Sequence, residues 1–98
     1  MTYRYLLVAG FLLGIGNAAH AYDIRAYCKT VSNAVGGSYQ IEESCQNMER
    51  TSRDNLARTV LTARIEKYCE EVGGAIGGSY QIKEACAKQE LQAKNRLQ

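Results

Sequence analysis

A ten-residue segment, GGSYQIEESC at residues 36–45, returns as GGSYQIKEAC at residues 77–86. The likeness extends to both sides. Residues 22–57 aligned with residues 63–98 share 15 of 36 positions, among them Ile24/Ile65, Tyr27/Tyr68, Cys28/Cys69, Val31/Val72, Glu49/Glu90 and Leu56/Leu97. A chain built from two copies of one unit is expected to repeat one local structure, so the unit itself is the first object to read.

The first half of the unit has helical period. Ile24, Tyr27, Cys28, Val31, Ala34 and Val35 follow the i, i+3, i+4, i+7 pattern, and all are apolar or cysteine. The second copy repeats the pattern from Ile65 to Ile76. The second half places Ile41, Cys45 and Met48 on one stripe, with Ile82 and Cys86 at the same places in the other copy. Between the halves stands Gly-Gly, which ends a helix in the left-handed region without a Cβ penalty. Ser38 and Ser79 follow, with side-chain oxygens suited to capping the next helix. Glu43 and Glu84 are expected in its first turn, where the helix dipole favours a negative charge. The chain contains no proline, and residues 22–98 hold no alternating β pattern. The expected fold is all-α: two duplicated helical hairpins.

Each hairpin carries one cysteine per helix, with sixteen residues between them. Both lie within roughly 7–11 Å of the turn along the helix axes, on facing stripes. Cys28–Cys45 and Cys69–Cys86 are therefore the expected disulfides. Pairing Cys45 with Cys69 fails if a helix joins them, since 24 helical residues span about 36 Å, beyond disulfide reach. Each local staple contributes about 3 kcal/mol by restricting the unfolded chain. That is a large share of what so small a domain can muster from its core.

The junction admits two arrangements. Residues 41–72 contain neither glycine nor proline, so one helix about 48 Å long is the expected form. The apolar stripe, however, changes face by roughly 200° along that helix. A break near residues 51–55, where TSRDN holds weak helix formers, would instead give a compact four-helix arrangement. That is the alternative.

The start of the chain reads as an export signal. Arg4 precedes an apolar run, LLVAGFLLGIG, followed by small residues at Ala19 and Ala21. This is the order of a secretory leader cleaved after Ala21, and the run is too short to span a membrane. The expected domains are a signal peptide at 1–21 and one helical domain at 22–98, made of repeats 22–57 and 63–98. A periplasmic or secreted location also suits an even cysteine count.

Composition closes off several functions. Without Arg4, residues 22–98 carry eleven Lys and Arg against ten Asp and Glu, too even a balance for a nucleic-acid surface. The one histidine, His20, leaves with the leader, and there is no tryptophan. Ser-His-acid and Cys-His pairs are thus unavailable. The cysteine spacing matches neither a zinc site nor a redox Cys-x-x-Cys. No catalytic residue, metal site, cofactor or membrane-integral segment is expected in the cleaved protein.

Two tyrosine pairs remain. Tyr27 and Tyr68 stand beside the cysteines and are expected to fill space over the disulfides. Tyr39, Gln40, Tyr80 and Gln81 lie in the repeated turn. They either pack against the adjacent disulfides or form exposed binding tips, a use to which rigid tyrosine is suited. The expected function is a non-enzymatic module binding another protein or an envelope component. The alternative is a periplasmic thiol/disulfide or soft-metal protein.

Overall fold

The structure, a computed structural model, describes residues 21–98. All of the expected leader except Ala21 lies outside the described residues. Four helices follow in order: α1 (Ile24–Ala34), α2 (Tyr39–Ala57), α3 (Ala63–Ala75) and α4 (Tyr80–Arg96). No strand occurs among the described residues. None of their helices is long and apolar enough to cross a membrane.

Both turns form as their residues dictate. Gly36 and Gly37 have φ of 95° and 85°, and Gly77 and Gly78 have 99° and 90°. Side chains carrying a Cβ rarely adopt such values. Ser38 Oγ accepts from Ile41 N and Ser79 Oγ from Ile82 N, each at 3.2 Å. Asp23 caps α1 in the same way through Ala26 N. The disulfides are Cys28–Cys45 and Cys69–Cys86, each with Cα atoms 5.5 Å apart. The molecule is therefore two stapled hairpins, as the repeat predicts.

The long central helix is not what forms. The chain leaves helix after Ala57 and re-enters it at Ala63, which gives the four-helix alternative. The break lies later than residues 51–55, which stay helical. Arg58 N and Thr59 N close the last turn of α2 on Asn55 O and Leu56 O. Thr62 then caps α3 through Ile65 N. Thr59, Val60 and Thr62 are β-branched and disfavour helix locally. Tertiary packing completes the case. The break lets Leu56, Leu61, Cys86 and Leu91 gather on Ile65, Cys69 and Ala87; one straight helix would hold Leu56 on the face opposite Ile65.

α1 packs on α2 and α3 on α4, and the two hairpins join through α2 against α4. The apolar core is small, and much of the expected stripe remains in solvent. Ile41, Met48, Tyr68 and Ile82 are exposed and Tyr27 is half-buried. Tyr68, expected to be covered beside its disulfide, is thus half in solvent. The buried positions of α2 are Cys45, Glu49 and Ser52, so Cys45 faces inward as expected but Glu49 does so in place of Met48. Among the described residues the largest fully buried side chain is not a hydrophobe but Glu49, at 0 % exposure.

Candidate functional site

The two copies of the repeated turn occupy different environments. The second is enclosed by the first hairpin. The Glu49 carboxylate on α2 lies at the N-terminus of α4. It accepts from Ser79 Oγ at 2.8 Å, Tyr80 N at 2.6 Å and Gln81 Nε2 at 3.0 Å. Gln81 N adds a longer contact at 3.4 Å. A helix N-terminus exposes unpaired N–H groups and a partial positive charge, so a carboxylate there is stabilised twice. The expected first-turn acid, Glu84, lies just past that turn, as Glu43 does in α2. The negative charge that serves α4 comes from the other hairpin.

Tyr22 closes the opposite side. Its ring packs on Tyr80 with centroids 4.8 Å apart. Its backbone N donates to Tyr80 Oη at 3.0 Å, and its hydroxyl donates to Glu70 O at 2.6 Å. Burial, then the nearby Glu70 carboxylate, push the Tyr22 hydroxyl up to about 12. Gly73 makes the room: a Cβ there would lie 2.8 Å from the Tyr22 hydroxyl and 2.9 Å from Ser79 O. The first hairpin has Ser32 at this position, whose hydroxyl donates instead to Ser38 O at 2.6 Å.

Further along the joint, Asn55 Nδ2 donates to Glu84 Oε2 at 2.9 Å. Burial raises the Glu84 carboxyl, but hydrogen bonds from Ser52, Asn55 and Lys88 outweigh it, and the group titrates below the usual range. Within the second hairpin, buried Lys83 on α4 bridges Glu66 and Glu70 on α3 at 2.7 and 2.5 Å. Burial alone would lower its ammonium, but those two bonds prevail and raise it. No buried side-chain polar atom of the described residues lacks a partner.

The first copy of the turn has none of this cover. Tyr39 is 87 % exposed against 9 % for Tyr80, and Gln40 is exposed where Gln81 is bound. Of the four turn residues picked out by the sequence, the structure therefore leaves Tyr39 and Gln40 open and engages Tyr80 and Gln81 internally. The Tyr39 ring stands in solvent rather than packed into the turn. All four cysteines are paired. The described residues hold no cluster of His, Cys, Asp or Glu able to bind a metal.

The apolar pattern of α2 does not mark Glu49. Two sequence signals do: Glu49 and Glu90 are identical in the repeat, and Glu49 lies four residues after Cys45, on the face turned to the disulfide. No protein-family profile matches the chain, and comparisons with curated proteins and with solved structures yield no match.

Proposed function

We propose that this chain is an exported, non-enzymatic helical module that binds another protein or an envelope component through its first turn, residues 38–40. One observation carries the reading. The same Ser-Tyr-Gln turn is present twice, once wrapped around a carboxylate and once open with its tyrosine in solvent. The enclosed copy displays what the open copy is equipped to hold: a carboxylate at a helix N-terminus, with an aromatic ring and an amide beside it. Tyr39 supplies rigid contact area, and the Ser38 and Gln40 groups supply direction.

Two disulfides in so short a chain fit an oxidising compartment. The leader-like start argues for export. Tyr22, the residue after the expected cleavage point, packs on Tyr80 and donates to Glu70 O, so the proposed mature chain retains it. Intact-mass measurement of the exported protein should find Tyr22 at its N-terminus; retention of residues 1–21 would refute export by cleavage.

The binding reading is tested by capture from envelope extract with wild type, Tyr39→Ala and Tyr80→Ala, alongside thermal melts. Captured proteins are identified and their direct affinity remeasured. Tyr39→Ala should melt like wild type yet lose its partner. Tyr80→Ala should melt lower and lose the partner only as far as it unfolds. Equal recovery by wild type and Tyr39→Ala would remove the first turn as a binding site.

A further inference from the structure

The internal joint is directional. The first hairpin offers a groove with Glu49, and the second offers a turn that enters it. A directional joint between two copies of one unit leaves one unused half at each end. At one end is the open turn at residues 38–40. At the other is the repeat counterpart of the groove. Glu90 and Ala93, the counterparts of Glu49 and Ser52, line an open groove of about 360 Å³ with Thr62, Arg64, Ile65 and Leu97. Leu97 stands where Leu56 packs in the internal joint, yet it is 87 % exposed.

From this we infer that the partner of the first turn is a second copy of this chain, joined head to tail. The turn at residues 38–40 of one copy seats in the α3–α4 groove of the next, with Glu90 accepting from Ser38, Tyr39 and Gln40. The inference rests on the reading of the first turn as a binding tip and names its occupant.

Three substitutions between the repeats fit this joint. Internally, Gly73 is required because Tyr22 lies over it. In the joint between copies, the Gly73 position is Ser32, but the Tyr22 position is Ala63. The bulkier residue on one side faces a smaller one on the other. The Asn55–Glu84 hydrogen bond becomes Arg96 facing Glu43, an ion pair of correct sign with bidentate capacity. The Glu49 and Ser79-Tyr80-Gln81 set is kept whole as Glu90 and Ser38-Tyr39-Gln40. Against these, Gln46 and Arg50 replace Ala87 and Leu91 on the entering face, so the joint between copies is more polar than the internal one. It also lacks the tether, which supplies an effective concentration of order millimolar. The assembly is therefore reversible. A head-to-tail contact between identical chains propagates as a filament or closes as a ring.

Sedimentation of the disulfide-intact protein tests this, from roughly 0.02 to 2 mM, a range bracketing that effective concentration. Wild type should grow in mass with concentration. Tyr39→Ala and Glu90→Ala alone should each weaken association roughly tenfold or more. Mixed together, they leave one intact turn and one intact groove, so the mixture should stop at one-to-one dimers. Glu43→Arg and Arg96→Glu should each fail alone and assemble when mixed, because the mixture restores opposite charges at both junctions. A wild type that stays monomeric throughout would overturn the inference, as would assembly indifferent to Tyr39 and Glu90. Capture of a different envelope protein that depends on Tyr39, with no self-association, would overturn the second copy while leaving the binding tip. Capture indifferent to Tyr39 would remove the tip itself.

Discussion

Replacing Glu49 by alanine tests the joint most directly, because Glu90 provides a built-in control. The side chain is fully buried, and its carboxylate holds Ser79 Oγ, Tyr80 N and Gln81 Nε2. Ser79 and Tyr80 are themselves buried, so alanine leaves two buried donors without their acceptor. Hydrogen bonds to a charged group contribute about 1.5–3 kcal/mol each, giving about 3–6 kcal/mol for the two. Relief of the carboxylate's own desolvation and water entering the space reduce this to about 2–3 kcal/mol. For a domain of this size about 4–8 °C of Tm accompanies each kcal/mol, so the midpoint should fall by about 8–24 °C. Glutamine keeps one acceptor oxygen but turns an NH2 group toward donors, and should lose most of the same stability. Glu90→Ala, the repeat-equivalent change, should stay within about 0.5 kcal/mol in dilute solution. Thermal and urea unfolding followed by circular dichroism, with disulfides intact, gives all three values. Equal losses at Glu49 and Glu90, or a Glu49→Ala loss below about 1 kcal/mol, would refute the claim that this carboxylate joins the hairpins.

Other expectations follow from the same geometry. Gly73→Ser should destabilise by about 1–3 kcal/mol through overpacking against Tyr22 and Ser79 O, whereas Gly74→Ala, with nothing within 4 Å, should stabilise its helix by about 0.5–1 kcal/mol; calorimetry of the pair checks the contrast. Stability should decline in alkali: the Tyr22 hydroxyl is raised from 10.0 to about 12, so the folded state holds that proton more tightly and the benefit, full below pH 10, is lost as pH rises to about 12. Lys83, also raised, acts with the same sign, and Tyr22→Phe should flatten the alkaline fall measured by urea titration. Glu84 is lowered, so its contribution is full above its unfolded value and is lost as acid carries the pH down through the folded one; Glu84→Gln should remove that part of the acid loss. Reducing both disulfides, each contributing about 3 kcal/mol, should cost most of the helical circular dichroism, and a reduced protein that kept its melting midpoint would refute their role as staples.

Short-range physics made the hairpin legible in the sequence alone. Helical period, Gly-Gly turns, Ser38 and Ser79 caps and cysteines facing each other across a turn are decided within about twenty residues. Each therefore reads directly from spacing. The paired glycines and the disulfide partners follow from backbone sterics and reach, which no distant contact overrides. The sequence also marked the repeated turn, though not the different environments of its two copies. The rest belonged to the tertiary structure. Residues 58–62 contain no glycine or proline, and they break because folding back buries Leu56, Leu61 and Ile65 together, a gain outside the reach of local propensity. Glu49 reads as a solvated acid on its own helix and becomes the most buried large side chain only when the N-terminus of α4 meets it. Tyr39 and Tyr80 have the same neighbours in sequence and opposite exposure in space. The physical reason is that two identical turns cannot both enter the one groove formed by Tyr22 and Glu49. The order of the repeats along the chain assigns that groove to the second turn and leaves the first in solvent.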